Sequence, residues 1–205
     1  MTNFDERAKD WDSDPTKVER ARVLAEAIRA TLPLKPEMTA LEYGCATGLL
    51  SFFLRDDFAH ILLADISDGM LDVLADKIVD SGILNMTPVR MDLTSDHLLA
   101  SHFDVVYSLL VLHHIPDTDT VLQRFYDILN PSGWLVIADL DAEDGTFHTD
   151  GTTDVHLGFE RESLQKRVEA VGFQEINFST ALHIKKKIGK TEKSFPVFLL
   201  TARKS

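Results

Sequence analysis

Three acidic residues stand where a short apolar run gives way to small or turn-forming residues. They are Glu42 ahead of Gly44-Cys45-Ala46-Thr47-Gly48, Asp65 after Ile61-Leu62-Leu63-Ala64, and Asp92 between Met91 and Leu93. Gly44 and Gly48 permit a tight turn and a close approach of backbone to ligand, and a helix following such a loop offers its first amides. The spacing is not the G-x-G-x-x-G of a dinucleotide site, and the G-x-x-x-x-G-K-[ST] of a nucleoside-triphosphate loop does not occur. Glu42, two residues before the first glycine, disfavours a diphosphate and favours a ligand carrying an ammonium or other positive group. Asp65, 17 residues after Gly48, is placed to accept hydrogen bonds from both hydroxyls of a ribose. Asp92 suits the exocyclic amino group of an adenine, with Met91 and Leu93 packing on the ring. Each acid alone reads as an ordinary turn or cap residue. Three at the ends of successive apolar runs, with glycines after the first, are harder to dismiss in that way.

Other residue types that carry chemistry lie further along. His113-His114, in Leu109-Leu110-Val111-Leu112-His113-His114-Ile115-Pro116-Asp117, follow the fourth apolar run. His114 has two readings: it orients or deprotonates an acceptor, or it packs against the ligand loop. His113 reads as a packing residue. Cys45 reads as a small loop residue rather than a nucleophile, because neighbouring Glu42 raises its pKa. Asp139, Asp141, Glu143, Asp144, His148, Asp150, Asp154 and His156 crowd one stretch. Without a tight ligand spacing such as H-x-x-x-H, they predict a polar pocket-edge loop and no metal centre.

These residues need elements to position them. From Thr39 onward apolar runs alternate with helix-period stretches. Ala40–Tyr43, Ile61–Asp65, Thr87–Met91, Phe103–Tyr107 and Trp134–Ala138 predict strands. Helices are expected over Leu49–Arg55, over a stretch capped by Asp68 with Leu71, Leu74 and Ile78 on one face, around Val121–Leu129, and over Arg161–Val171, stopped by Gly172. Asn130-Pro131-Ser132-Gly133 is a turn. Phe173–Leu182 and Phe195–Ala202 predict a hairpin whose lysine-rich connection, Lys185 to Lys193, is a solvated loop. Two helical stretches, Phe4–Trp11 and Thr16–Thr31, end at Pro33 and are free to lie across the open ends of the strands. Strands apolar on both faces and alternating with helices argue for a mostly parallel sheet covered on both sides, with ligands at the carboxyl ends of its strands.

Glu42-x-Gly44-x-Ala46-x-Gly48, Asp65, Met91-Asp92-Leu93 and Phe103-Asp104-Val105-Val106, in order over residues 39–140, resemble the successive motifs of class I S-adenosylmethionine-dependent methyltransferases. Asn130-Pro131-Ser132-Gly133-Trp134-Leu135 is similar to the family's turn before the fifth strand. Ala46 departs from the middle glycine of many members, and Ser132 from the first glycine of the turn. The resemblance implies a Rossmann-like, doubly wound α/β fold. Its mostly parallel seven-stranded sheet would have an antiparallel last strand and helices on both faces. It implies S-adenosylmethionine as cofactor and S-adenosylhomocysteine as product. Glu42 would lie near the methionine ammonium, with Gly44, Cys45, Ala46 and Gly48 beneath the cofactor. Asp65 would bind the ribose, Ile66 and Met70 would meet the adenine, and Asp92 with Met91 and Leu93 would hold its amino edge. Ser108 and Leu109 would border the sulfonium, and His114 would face the transferred methyl; Trp11 would cover the cofactor, or else simply anchor an amphipathic helix. The chain would then divide into an N-terminal helical lid (1–33), a cofactor-binding core (34–140), an acceptor-side loop (141–159), and a helix with a C-terminal β-hairpin (160–205).

Composition limits the partners. The chain has 205 residues, 44% hydrophobic and 26% charged, which suits one globular domain and excludes a disordered or fibrous chain. One cysteine excludes an internal disulfide. No apolar run approaches a membrane span, and the N-terminus lacks the pattern of a secretory signal. The formal net charge is −12, although residues 180–205 carry seven Lys/Arg against Glu192 alone. The remaining body therefore repels polyanions. These features predict a cytoplasmic monomer or homodimer that engages a small-molecule acceptor, not nucleic acid and not a membrane. The expected reaction is methyl transfer from S-adenosylmethionine to O, N or C. A non-catalytic module binding the same cofactor is the alternative, and a nicotinamide-dependent oxidoreductase fits the glycine spacing poorly.

Overall fold

Apolar side chains on both faces of successive strands require helices above and below, and the computed structural model builds this sandwich. It describes residues 4–95, 102–148 and 155–205. The strands are β1 (Thr39–Tyr43), β2 (His60–Asp65), β3 (Met86–Arg90), β4 (Phe103–Leu109), β5 (Leu129–Leu140), β6 (Phe173–Ile188) and β7 (Thr191–Lys204). They form one sheet in the order β3-β2-β1-β4-β5-β7-β6. Pairs up to β4–β5 are parallel, while β7 runs antiparallel to both β5 and β6. Strand order reverses between β1 and β4, which opens a crevice at their carboxyl ends.

Alternation along the strands divides the core. On one face Ala40, Ile61, Leu63, Val105 and Tyr107 pack with Leu24 and Ile28 of α2 (Pro15–Thr31), Leu50 and Leu54 of α3 (Leu49–Leu54), and Leu74 and Ile78 of α4 (Asp68–Asp80). On the other, Leu41, Tyr43, Val106, Leu135 and Phe198 meet Val121 and Phe125 of α5 (Thr118–Ile128) and Leu164 and Val168 of α6 (Arg161–Val171). A short α1 (Phe4–Arg7) and a 3-10 turn (Ala8–Ser13) precede α2. No helix among the described residues is long and apolar enough to cross a membrane.

The structure corrects three local expectations. Ser67, not Asp68, caps α4: it has extended backbone and its hydroxyl accepts the Met70 amide at 3.2 Å, while Asp68 is the first helical residue and pairs with Arg90 at 3.2 Å. The lysines of residues 185–193 are not a loop. Lys185, Lys186 and Lys187 face Ser194, Lys193 and Glu192 in the β6–β7 ladder, and the reversal falls at Gly189-Lys190. Strand pairing tolerates charged side chains wherever one face meets solvent. Asn130-Pro131-Ser132-Gly133 is a bulge within β5: Leu129 already pairs with Phe103, Ser132 takes φ 64°, and the ladder resumes at Trp134 opposite Val105.

Candidate active site

The chain leaves β1 through a left-handed turn, with φ of 71° at Gly44, 47° at Ala46 and 76° at Gly48. A β-carbon on Gly44 would come within 2.3 Å of Val111, so the turn and the segment after β4 fit together only with glycine there. The Gly44 and Cys45 amides donate to the Ala64 carbonyl at 2.8 and 3.0 Å. Asp65 finishes the clasp: its carboxylate accepts the Ala46 amide at 2.7 Å and the Ser67 amide at 2.9 Å. Burial nonetheless raises its pKa. Ala46 holds a conformation unfavourable for an L residue by about 1–2 kcal/mol, and the Asp65 bond fixes it there.

Glu42 lies on the β1 face that meets α3 and is 3% exposed. The Ser51 hydroxyl donates to it, and Ser51 is in turn 2.6 Å from the Tyr107 hydroxyl. Burial pushes Glu42 up to about 8, against the hydrogen bond from Ser51. Burial first, and then the Glu42 charge, pushes the Cys45 thiol up, which leaves Cys45 unreactive.

These residues open into a cavity of about 410 Å³ at the β1–β4 switch. Of the residues expected to hold the cofactor, Trp11, Glu42, Gly44, Cys45, Ala46, Asp65, Ile66, Met70 and Leu109 line it, and His114 does so too. Gly48, Met91, Asp92, Leu93 and Ser108 are not in its lining. Gly48 packs against Leu74, and the Asp92 carboxylate accepts the Thr94 amide at 2.8 Å and the Ser95 hydroxyl at 3.1 Å. Met91 and Leu93 are buried with the α5 core, and Ser108 donates to the Tyr43 carbonyl at 2.9 Å.

The N-terminal segment covers the cavity through Phe4, Arg7 and Trp11. Its anchors lie on α4 and the glycine loop. Asp5 accepts the Ser67 hydroxyl at 2.5 Å and the Gly69 amide at 2.9 Å, and Asp12 pairs with Lys77 at 2.5 Å and with the Thr47 hydroxyl. Lys17 sits 3.7 Å from the Trp11 ring centre. Arg20 also lines the cavity; its hydrogen bonds are to Thr16, at 3.4 and 3.5 Å, and it makes no ion pair among the described residues. Burial lowers the pKa of both Lys17 and Arg20. With Arg7 and Lys186, four cationic side chains border a space that hydropathy alone would leave neutral.

His113, His114 and His148 also line the cavity. Leu112–His114 form a 3-10 turn after β4, and His113 is buried with its Nδ1 2.6 Å from Asp139 at the end of β5. His114 meets Phe4 edge-on at 5.7 Å. His148 joins them, with its ring 5.2 Å from both His113 and His114. His156 does not line the cavity: its ring nitrogen bonds the Ile115 carbonyl at 2.9 Å and its amide the His113 carbonyl at 2.7 Å. Asp141 pairs with Arg161 at 2.6 Å and Asp144 with Lys193, while Asp150 and Asp154 lie outside the described residues. Sequence spacing missed the association of His148 with His113 and Asp139, because the loop after β5 joins residues distant in the chain. The one signal for it was position, since Asp139 stands at the end of β5 while His113 follows β4 and His148 follows β5.

Fold and crevice together define a Rossmann-like α/β domain with its ligand site at the switch point. A model described as a methyltransferase domain matches residues 17–185, and the chain belongs to that family. The ubiquinone/menaquinone biosynthesis C-methyltransferase of Vibrio campbellii is 33% identical over 107 residues, 50% of this chain and 41% of the relative. Phosphoethanolamine N-methyltransferase 1 of Triticum aestivum is 24% identical over 178 residues, 82% of this chain and 36% of the relative. The matches thus span about two-fifths of these curated relatives. Phosphoethanolamine N-methyltransferase 2 of Haemonchus contortus, solved with phosphomonomethylethanolamine and S-adenosylhomocysteine, superposes with a TM-score of 0.72. Its identity is 18%, covering 89% of this chain and 52% of that one.

Proposed function

We propose that the protein transfers a methyl group from S-adenosylmethionine to an oxygen, nitrogen or carbon of a small-molecule acceptor. The observation that carries this reading is the convergence of Glu42, Asp65 and the left-handed Gly44–Gly48 turn on one covered cavity at the β1–β4 switch. The residues fit the cofactor's chemistry: a cradle that a β-carbon would fill, and two carboxylates for a ligand bearing two cationic centres.

When bound, the cofactor supplies an electrophilic methyl on a cationic sulfur. The protein's own part is alignment. Glu42 takes the ammonium of the amino-acid portion, and Arg20 with Lys17 takes its carboxylate. The second lone pairs of Asp65 take the ribose hydroxyls, while Ile66 and Met70 flank the adenine. Leu109, in the cavity lining, would border the sulfur, and Ser108 donates to the Tyr43 carbonyl. Trp11 and Phe4 exclude water, and His114 orients the acceptor or accepts its proton. Alignment of donor and acceptor contributes on the order of 7–11 kcal/mol.

The test is calorimetric binding of S-adenosylhomocysteine, followed by assay of its release from S-adenosylmethionine with candidate acceptors. Asp65→Ala should weaken binding by about 1–3 kcal/mol, the loss expected for charge-assisted hydrogen bonds. Unchanged affinity would remove the ribose assignment, and binding without release across acceptors would make the domain a cofactor-binding module.

A further inference from the structure

Alignment of a methyl donor gives no task to His113, His148 or Asp139, although His113 and His148 line the same cavity as His114 and Asp139 is bonded to His113. The His113 Nδ1 lies 2.6 Å from Asp139 Oδ1, and its backbone amide donates to Oδ2 at 3.2 Å. Asp139 Oδ1 also accepts the Leu140 amide at 2.7 Å, so the carboxylate is held from three sides. A carboxylate at Nδ1 fixes the ring with its hydrogen on Nδ1 and its lone pair on Nε2. That Nε2 is buried and has no hydrogen-bond partner among the described residues. A buried acceptor left this way is costly, and the cost is relieved by something that accepts electron density from it. Two more imidazoles approach it. The rings of His113 and His114 are 4.1 Å apart, and one nitrogen from each of His113, His114 and His148 lies within 4.8 Å of the others.

We propose that His113, His114 and His148 bind one divalent transition-metal ion of the zinc type, each through an imidazole nitrogen, with Asp139 orienting His113 from behind. A His–Asp pair alone would make a proton acceptor. The convergence of two further imidazoles is what selects a metal. An all-imidazole donor set suits zinc, cobalt, nickel or iron and not magnesium or calcium, which take oxygen ligands. The carboxylate–histidine–metal arrangement is the usual support behind such ligands. Ligand nitrogens stand about 3.3 Å apart in a tetrahedral site with metal–nitrogen bonds of ~2.0–2.1 Å, so the ion draws the rings inward. Lys186 lines the same cavity, and its ammonium donates to the Phe147 carbonyl at 2.7 Å and lies over the Phe147 ring. Three protein ligands leave one position open, the pattern of catalytic rather than structural zinc. Resting on the methyl-transfer reading, that position takes an oxygen or nitrogen of the acceptor, and His114 then meets the acceptor through the ion.

The test titrates chelator-treated protein with Zn²⁺ and, as a spectroscopic probe, Co²⁺. One ion per chain is expected, with the Co²⁺ absorption of a nitrogen-ligated site of low coordination number. His148→Ala should weaken binding by at least about 100-fold, and Asp139→Asn by about 10–100-fold, the range for a support behind a ligand. S-adenosylhomocysteine binding by the same preparations establishes that each variant folds. Wild-type metal affinity in both folded variants, or no metal bound by wild-type protein that binds S-adenosylhomocysteine, overturns the site. Metal bound as expected by protein indifferent to S-adenosylhomocysteine sustains the site while the methyl-transfer reading fails.

Discussion

Glu42 combines burial with a polar task, and its protonation makes that combination measurable. Its pKa rises from the ordinary 4.5 to about 8 in the folded protein because the carboxyl is enclosed between β1 and α3. The unfolded chain releases this proton near 4.5 while the folded chain keeps it. The stability Glu42 contributes is therefore whole below about 4.5 and is lost as pH rises through about 8. Thermal melts of the free protein should show Tm falling across this window, and Glu42→Gln should flatten that part of the fall. A Gln variant with the wild-type profile would exclude Glu42 as its source. A cationic ligand beside the carboxyl reverses the preference and lowers its pKa. Binding of S-adenosylhomocysteine near neutral pH should then release a proton, seen as a binding enthalpy that depends on the buffer, and Glu42→Gln should abolish the dependence. Arg20 makes the complementary case. A partly buried guanidinium that makes no ion pair among the described residues gains a charged partner from the ligand's carboxylate, so Arg20→Ala should cost about 1.5–3 kcal/mol of affinity by calorimetry.

At the scale of elements, the N-terminal segment is held by a few polar contacts rather than by a core of its own. Ala8 is its one buried apolar residue between Phe4 and Ser13, whereas Asp5 binds the N-terminal turn of α4, where a carboxylate is also favoured by the helix dipole. Asp5→Ala should speed amide hydrogen exchange over residues 4–13 while leaving β1, β2 and β4 protected, and S-adenosylhomocysteine should slow exchange there in the wild type. Equal exchange in variant and wild type would show that Asp5 does not secure the cover. Sequence made the strands, the order of acidic strand ends and the late hairpin legible, because apolar runs on both faces and turn residues act locally. It misassigned the α4 cap, since Ser67 and Asp68 are both capping types and only backbone geometry chooses between them. A run of lysines such as Lys185–Lys187 carries the composition of a solvated loop, yet paired strands accept the same charge on an open face. His148 was beyond the reach of sequence: the contact with His113 depends on the path of the loop after β5, which no periodicity encodes.

For the whole molecule, one sheet carries two separate apolar layers, and the cavity sits where strand order reverses between them. Its walls come from β1, β2, the segment after β4, the N-terminal cover and Lys186 of β6. A ligand in this crevice therefore bridges elements distant in sequence, and unfolding of any of them releases it. Linkage gives the size of the effect: a ligand that binds the folded chain alone adds about 2.7 kcal/mol at a hundredfold excess over Kd. For a domain of this size each kcal/mol raises Tm by about 2–4 °C, so S-adenosylhomocysteine should raise it by roughly 5–11 °C. Differential scanning fluorimetry against ligand concentration checks both the shift and its logarithmic growth. Reduced nicotinamide dinucleotide should give no comparable shift, because the turn after β1 lacks the G-x-G-x-x-G spacing that seats its diphosphate. An equal response to the two compounds would mean that the crevice recognises an adenosine but not the amino-acid half, and the roles given to Glu42 and Arg20 would fall with that result.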